Sequence, residues 1–351
     1  MLDRAAITPA SLAEDTPPLL IVVIDTEEEF DWTRPLSRES TGTRSIGAQD
    51  LAQEVFTRHG VVPTYVVDYP VATSARACRL LKAYADDGRC EIGAHLHPWV
   101  NPPHEEAVTW RNSYAGNLPK ALERAKLLAL TQAIEANLGR RPTIYKAGRY
   151  GVGPNSAALL QELGYKIDLS VVAKTSFTDD GGPDFSAFDF RPYWFGANRD
   201  LLEIPLSASY AGFLGTLGPA LFPPIRSRLG CSLHLPEIAA RLRLLERIRL
   251  TPEGIDLAAL KRLTRTLLGQ GCRVFCMAYH SPSLQPGFTP YVSDDAELEA
   301  FLGTIEGYIR YFIDELGGRP ATPTGLYDLL AAEAPAEVTS GAEGQGAALS
   351  T

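Results

Sequence analysis

The chain has 351 residues, 45% hydrophobic and 21% charged, which suits one large barrel domain or two medium globular domains. A formal net charge of −9, with no local Lys/Arg cluster set against it, excludes nucleic acid as the expected partner. Met1 to Pro18 lacks the apolar core of a signal peptide. The longest apolar stretch, Leu201 to Pro224, is too broken by Glu203, Pro205 and Pro219 to span a membrane, so a cytoplasmic protein is expected. Five cysteines (Cys78, Cys90, Cys231, Cys272 and Cys276) without CxxC spacing read as free thiols in a reducing compartment.

After an N-terminal extension (1–17), Leu19–Asp25 is a continuous apolar run that predicts a buried parallel strand, ending in the acidic stretch Asp25-Thr26-Glu27-Glu28-Glu29-Phe30-Asp31-Trp32. Gln49–His59 has helical periodicity and is stopped by Gly60; Val61–Val67 is a second strand and Ser74–Tyr84 a second helix. Cys90–His95 is the third strand and runs into His95-Leu96-His97-Pro98-Trp99. Leu118–Leu138 is a long amphipathic helix, Thr143–Ala147 a fourth strand, Asn155–Leu163 a helix and Lys166–Val171 a fifth strand.

From 173 to 236 the chain is rich in Gly, Pro and aromatics and reads as an irregular insertion. Helical pattern returns over Leu235–Ile248 and Leu257–Leu268. Arg273–Ala278 is a late buried strand, Asp294–Glu315 a last helix, and 331–351 has the composition of a disordered tail. Alternating β and α segments imply a parallel sheet with helices outside. In a barrel of that kind, chemistry collects at the carboxyl ends of the strands. Asp25, His95, Arg149 and Asp168 all fall at or just after predicted strand ends.

Histidines at i and i+2 on an extended segment share a side, so His95 and His97 can grip one divalent ion. The same alternation places Asp25 and Glu27 together: one carboxylate for a metal and one for a base, unless the stretch is an acidic helix start. Two neutral imidazoles and a carboxylate suit Zn²⁺ with positions left for water. Arg149, between Gly148 and Tyr150-Gly151, can pair with Asp25 and keep it ionised, and Tyr150 can offer a backbone N–H or its hydroxyl to an oxyanion. His280, after the last strand, is a candidate general acid, with Asp168 as the carboxylate that keeps it protonated. His104 reads as a surface residue, His59 as a helix-end residue, and Glu28, Glu29 and Asp31 as surplus acids.

In this order, Asp25 to Trp32, Gly93 to Trp99, Arg111 to Leu118, Tyr145 to Gly153 and Tyr279 to Leu284 together resemble the polysaccharide deacetylase (NodB homology) superfamily. That superfamily is carbohydrate esterase family four, and the likeness is nearest its WalW-like branch. The resemblance covers about Pro18 to Pro323. It implies a distorted (β/α) barrel over 18–330 and metal-dependent hydrolysis of an N-acetyl group on a sugar, polysaccharide or lipopolysaccharide precursor. It further implies Asp25 as base, Glu27, His95 and His97 as metal ligands, Arg149 orienting the base, and His280, backed by Asp168, protonating the leaving amine.

Two departures are visible. Thr26 separates acids that the superfamily commonly has adjacent, and Trp99 stands four residues after His95, where the second histidine is common. Rival readings are a barrel amidohydrolase acting on another C–N bond, a two-histidine, one-carboxylate iron oxygenase, and an inactive carbohydrate-binding relative that keeps Trp99, Trp110, Tyr193 and Trp194.

Overall fold

A computed structural model describes residues 7–10 and 12–333; the expected tail from 334 onward lies outside the described residues. Twelve strands are present among them: β1 (Thr8–Pro9), β2 (Leu19–Thr26), β3 (Thr64–Val67), β4 (Glu91–Leu96), β5 (Ile144–Ala147), β6 (Ile167–Asp168), β7 (Tyr193–Phe195), β8 (Leu201–Glu203), β9 (Ala208–Ala211), β10 (Glu246–Arg249), β11 (Val274–His280) and β12 (Arg319–Pro320). Ten form one curled sheet in the order β1-β7-β8-β6-β5-β4-β3-β2-β11, with β12 also on β2.

From β8 through β6, β5, β4, β3 and β2 to β11 the pairing is parallel; β7 and β1 close the far edge antiparallel. β2 is apolar on both faces because it is buried on both, and β11 lies beside it in register from Val274–Leu19 to His280–Asp25. The gap between the sheet's ends is bridged at the carboxyl side, where Ser207 donates its N–H to Cys276 (3.2 Å) and Ala278 to Leu250 (3.2 Å). The result is the expected distorted (β/α) barrel, a mixed sheet curled on itself with helices outside.

The predicted first-half elements are present with ends moved by up to three residues. Three expectations change. Lys166–Val171 is a strand only over Ile167–Asp168. The stretch from 173 to 236, expected as an irregular insertion, contains the short strands β7, β8 and β9, and β8 pairs with β6 inside the main sheet. Leu235–Ile248 is not one helix: the helix ends at Arg241, Arg243 takes a left-handed φ of 54°, and Glu246–Arg249 pairs antiparallel with β9. At the chain's ends, Thr8–Pro9 joins the sheet, and the last helix, Pro323–Glu333, runs past the point where the tail was expected to begin. Cys272 and Cys276 are buried free thiols, His104 is exposed, and His59 meets Glu306 at 3.2 Å.

Candidate metal and acid–base site

Parallel strands put register partners on the same side of a sheet, and this builds the site. Asp25 is opposite His280, and His95 is opposite Lys146, at the carboxyl ends of their strands. The chain continues extended past both strands, so the two-residue period brings Glu27 onto the side of Asp25 and His97 onto that of His95. Glu27 Oε2 lies 3.5 Å from His95 Nε2 and 3.4 Å from His97 Nε2, and all three residues are buried. The imidazoles sit 4.6 Å apart between ring centres.

Each ring is oriented from behind. His95 Nδ1 is 3.0 Å from the Lys146 carbonyl, which can only accept, so Nδ1 carries the hydrogen and Nε2 presents its lone pair. His97 Nδ1 donates to Glu28 Oε2 at 2.7 Å. Glu28 Oε1 accepts the Trp99 indole N–H at 2.7 Å, and Asp68 accepts the Glu28 N–H at 2.6 Å. Glu28, read from the sequence as a surplus acid, is a buried support for His97. Trp99, four residues after His95, stacks on His97 with ring centres 4.2 Å apart. Gly148 allows this approach: a Cβ there would lie 2.3 Å from His97 Cδ2 and 2.5 Å from the Leu96 carbonyl.

Burial pushes His95 well below the usual histidine range and His97 down to about 4, so both rings are neutral at physiological pH. Burial, then Glu28 and Asp25, pushes the Glu27 carboxyl well up. Burial also raises Glu28 to about 7. Glu27 Oε1 has no hydrogen-bond partner although it is buried. A buried carboxylate with one oxygen orphaned and the other facing two imidazole lone pairs is a donor set that a divalent cation satisfies, and Glu27, His95 and His97 have the mutual spacing to hold one.

The candidate acid–base pair lies beside this cluster. Lys146 Nζ contacts both oxygens of Asp25, at 2.5 and 2.7 Å, with both residues buried. Burial acts to raise the Asp25 carboxyl, but the Lys146 ammonium, helped by His95 and His280, outweighs it and holds the group below the usual carboxylate range. His280 Nε2 is 3.8 Å from Asp25 Oδ2. Behind it, Glu253 accepts from His280 Nδ1 at 2.8 Å and from its backbone N–H at 3.0 Å, and takes the Ser283 hydroxyl at 2.6 Å. Burial acts to lower His280, but Glu253 and Asp25 raise it above its ordinary value.

Two expected partnerships are thus replaced. Arg149 does not pair with Asp25: its Nη1 donates to Ser113 Oγ at 2.7 Å, and its guanidinium lies over Trp110 and Tyr114 at 4.4 and 4.5 Å. Lys146, three residues earlier and on the strand itself, points at the carboxylate instead. Asp168 does not back His280 either. It is buried with Ser170 and its register partner Glu203, and Ser170 donates to it by N–H and hydroxyl. A lysine inside the buried run Ile144-Tyr145-Lys146-Ala147 was a usable signal, because a buried ammonium requires an acid. Glu253, in a turn distant in sequence from His280, carried none.

These groups open into one 320 Å³ cleft also lined by Trp32, Trp110, Tyr114, Phe177, Tyr291 and Tyr150. Arg149 and Tyr150 both have left-handed backbones, φ 53° and 62°, a strained pair of roughly 1–2 kcal/mol each that packing imposes at the cleft wall.

No protein-family model matches the chain, and no curated protein matches it in sequence. Solved structures do match. A Mycobacterium smegmatis protein assigned as a polysaccharide deacetylase superposes with TM-score 0.51 at 17% identity, over 95% of this chain and 96% of its own. A Pseudomonas aeruginosa PAO1 protein assigned likewise gives 0.52 at 18%, over 91% and 92%. The PuuE allantoinase gives 0.54 at 16%, over 91% of each chain. The fold is that of the NodB-homology deacetylases. Within this NodB-type barrel the cluster of Glu27, His95 and His97 occupies the carboxyl-end mouth, where the chemistry was expected.

Proposed function

We propose that this protein is a metal-dependent hydrolase that removes the N-acetyl group from an N-acetylated saccharide, in the manner of the WalW-like branch it resembles. The carrying observation is the convergence of three elements on one cleft: the Glu27/His95/His97 donor set, a carboxylate held ionised by Lys146, and an imidazole held protonated by Glu253. A divalent ion on Glu27, His95 and His97, Zn²⁺ by the chemistry of those donors, supplies Lewis acidity and an acidified water. Asp25, ionised and fixed by Lys146, accepts the proton of the attacking water. His280, raised by Glu253, delivers a proton to the departing nitrogen, so acetate and a free amine leave. Tyr150 lines the cleft and is the oxyanion donor of this proposal, each such donor being worth roughly 3 kcal/mol. The aromatic walls, Trp32, Trp110, Tyr114 and Tyr291, suit the apolar faces of sugar rings.

The likeness to an allantoinase supports a second reading, hydrolysis of another non-peptide C–N bond at the same centre. Acetate release from N-acetylated saccharides, measured on metal-loaded protein beside ureide hydrolysis, decides between them. The first reading expects saccharide turnover that falls by orders of magnitude in Asp25→Asn with metal retained. Ureide turnover alone overturns it.

A further inference from the structure

β9 and β10 form an antiparallel hairpin whose base carries Arg249, followed by Thr251 and Glu253, into the cleft wall. Its connection, from 212 to 245, is a lobe of three short helices, Gly218–Ile225, Arg228–Ser232 and Leu235–Arg241. This lobe builds almost no core: from Gly212 to Leu244 only two glycines, Gly218 and Gly230, are buried. Its apolar side chains face outward instead. Of twelve exposed large hydrophobic residues among those described, nine fall between 213 and 244, including Phe213 at 86%, Leu229 at 69% and Leu242 at 59% exposure. Single exposed leucines are ordinary, but nine on one small lobe require a covering phase.

The charge on the lobe indicates which phase. The whole chain is acidic at −9, yet residues 213–249 hold six arginines against two glutamates. The overall balance therefore conceals a local basic cluster, which corrects the expectation of none. One of the glutamates, Glu246, is neutralised by Arg262 at 2.8 Å, whereas Arg226, Arg228, Arg241 and Arg243 have no acidic partner among the described residues. Leucines and a phenylalanine beside unpaired arginines are the composition of an interfacial element, which sinks its apolar side chains to the acyl boundary and sets its cations among headgroups. No described helix is long and apolar enough to cross a membrane, so the contact is peripheral.

We infer that the 213–244 lobe docks the protein on an anionic lipid surface, with the cleft at the edge of the contact. A second copy of the chain would also cover leucines, but it would bring four more unpaired arginines against the first four. The test is flotation of the full chain with vesicles of phosphatidylcholine alone or with about 30 mol% phosphatidylglycerol. Co-flotation with the anionic vesicles, at least about tenfold stronger than with neutral ones and lost at high salt, is expected.

Leu229→Ser/Leu233→Ser/Ile238→Ser and, separately, Arg226→Glu/Arg228→Glu/Arg241→Glu should each reduce flotation by roughly tenfold or more with an unchanged melting temperature, because the altered side chains are exposed. If the leucine variant misfolds, the charge variant and the salt titration decide. The inference is overturned if the full chain does not float with anionic vesicles, or if either folded variant floats as well as the parent. It is equally overturned if the parent is a dimer that the leucine variant dissociates while neither binds vesicles.

Discussion

Replacing Lys146 by methionine keeps the volume of the side chain and removes the ammonium from a buried carboxylate. At the 2.7 Å separation from Asp25 Oδ2, the gross attraction is roughly 6 kcal/mol at an effective dielectric of about 20. Desolvation of both ions offsets much of that in the intact pair, but deleting one partner leaves the other charge buried alone, which costs about 3–5 kcal/mol. Asp25 escapes this cost by taking a proton, since burial alone drives its carboxyl upward. The signs follow. The lowered Asp25 contributes stability that is present above the usual carboxylate range and lost as pH falls through its folded value. The raised Lys146 contributes stability present below the usual lysine range and lost in strong alkali.

In the methionine variant the acidic limb of kcat/KM therefore moves to higher pH. Turnover at neutral pH drops about tenfold for each 1.4 kcal/mol transferred to proton binding and recovers as the pH is raised. Lys146→Arg, which keeps the charge, holds the limb lower than methionine does. The measurement is a pH–rate profile on metal-loaded protein, with circular dichroism to establish folding. A folded Lys146→Met protein with an unmoved acidic limb would show that Lys146 does not keep Asp25 ionised.

Other perturbations read different parts of the site. Gly148→Ala drives a Cβ into His97 and should weaken metal affinity by roughly 10–100-fold in a competition titration, with loss of the ring's support as the cause. Glu253→Gln leaves His280 without its carboxylate. Its basic limb should shift to lower pH and kcat should fall by about 10²-fold, seen in the same profiles. Calorimetric metal titrations in buffers of different ionisation enthalpy should show proton release, because the raised Glu27 must give up its proton to the ion, and affinity should weaken as pH falls.

The buried Asp168–Glu203 pair should make the fold pH-sensitive. Burial raises Asp168 to about 6 and, with Asp168 beside it, pushes Glu203 well above its usual range. Stability from a raised carboxyl is complete below about pH 4 and is lost as pH rises through about 6, some 3 kcal/mol for Asp168. Thermal melts should fall across that window in the parent and flatten in Asp168→Asn.

The sequence by itself determined the alternating strand and helix order and the two same-side pairs that feed the candidate metal cluster, because both rest on periodicity. An all-apolar strand is legible as buried on two faces, and a two-residue spacing at a strand end commits Asp25 with Glu27, and His95 with His97, to one side whatever the neighbouring strands are. It also placed His280 correctly at a strand end. What it could not determine is which strand end meets which. The pairing of Lys146, rather than Arg149, with Asp25 depends on β5 lying three places from β2, across β4 and β3, and on the left-handed turn that swings Arg149 away to Trp110 and Tyr114. The choice of Glu253, rather than Asp168, behind His280 depends on β6 lying several strands away across the sheet while the turn after β10 packs on β11. Likewise, the leucines and arginines of 213–244 read locally as an irregular insertion running into a helix; only the fold leaves them without a core. Spacing along the chain governs which face a side chain occupies, whereas the partner it finds there is set by sheet order and by backbone strain that only packing can impose.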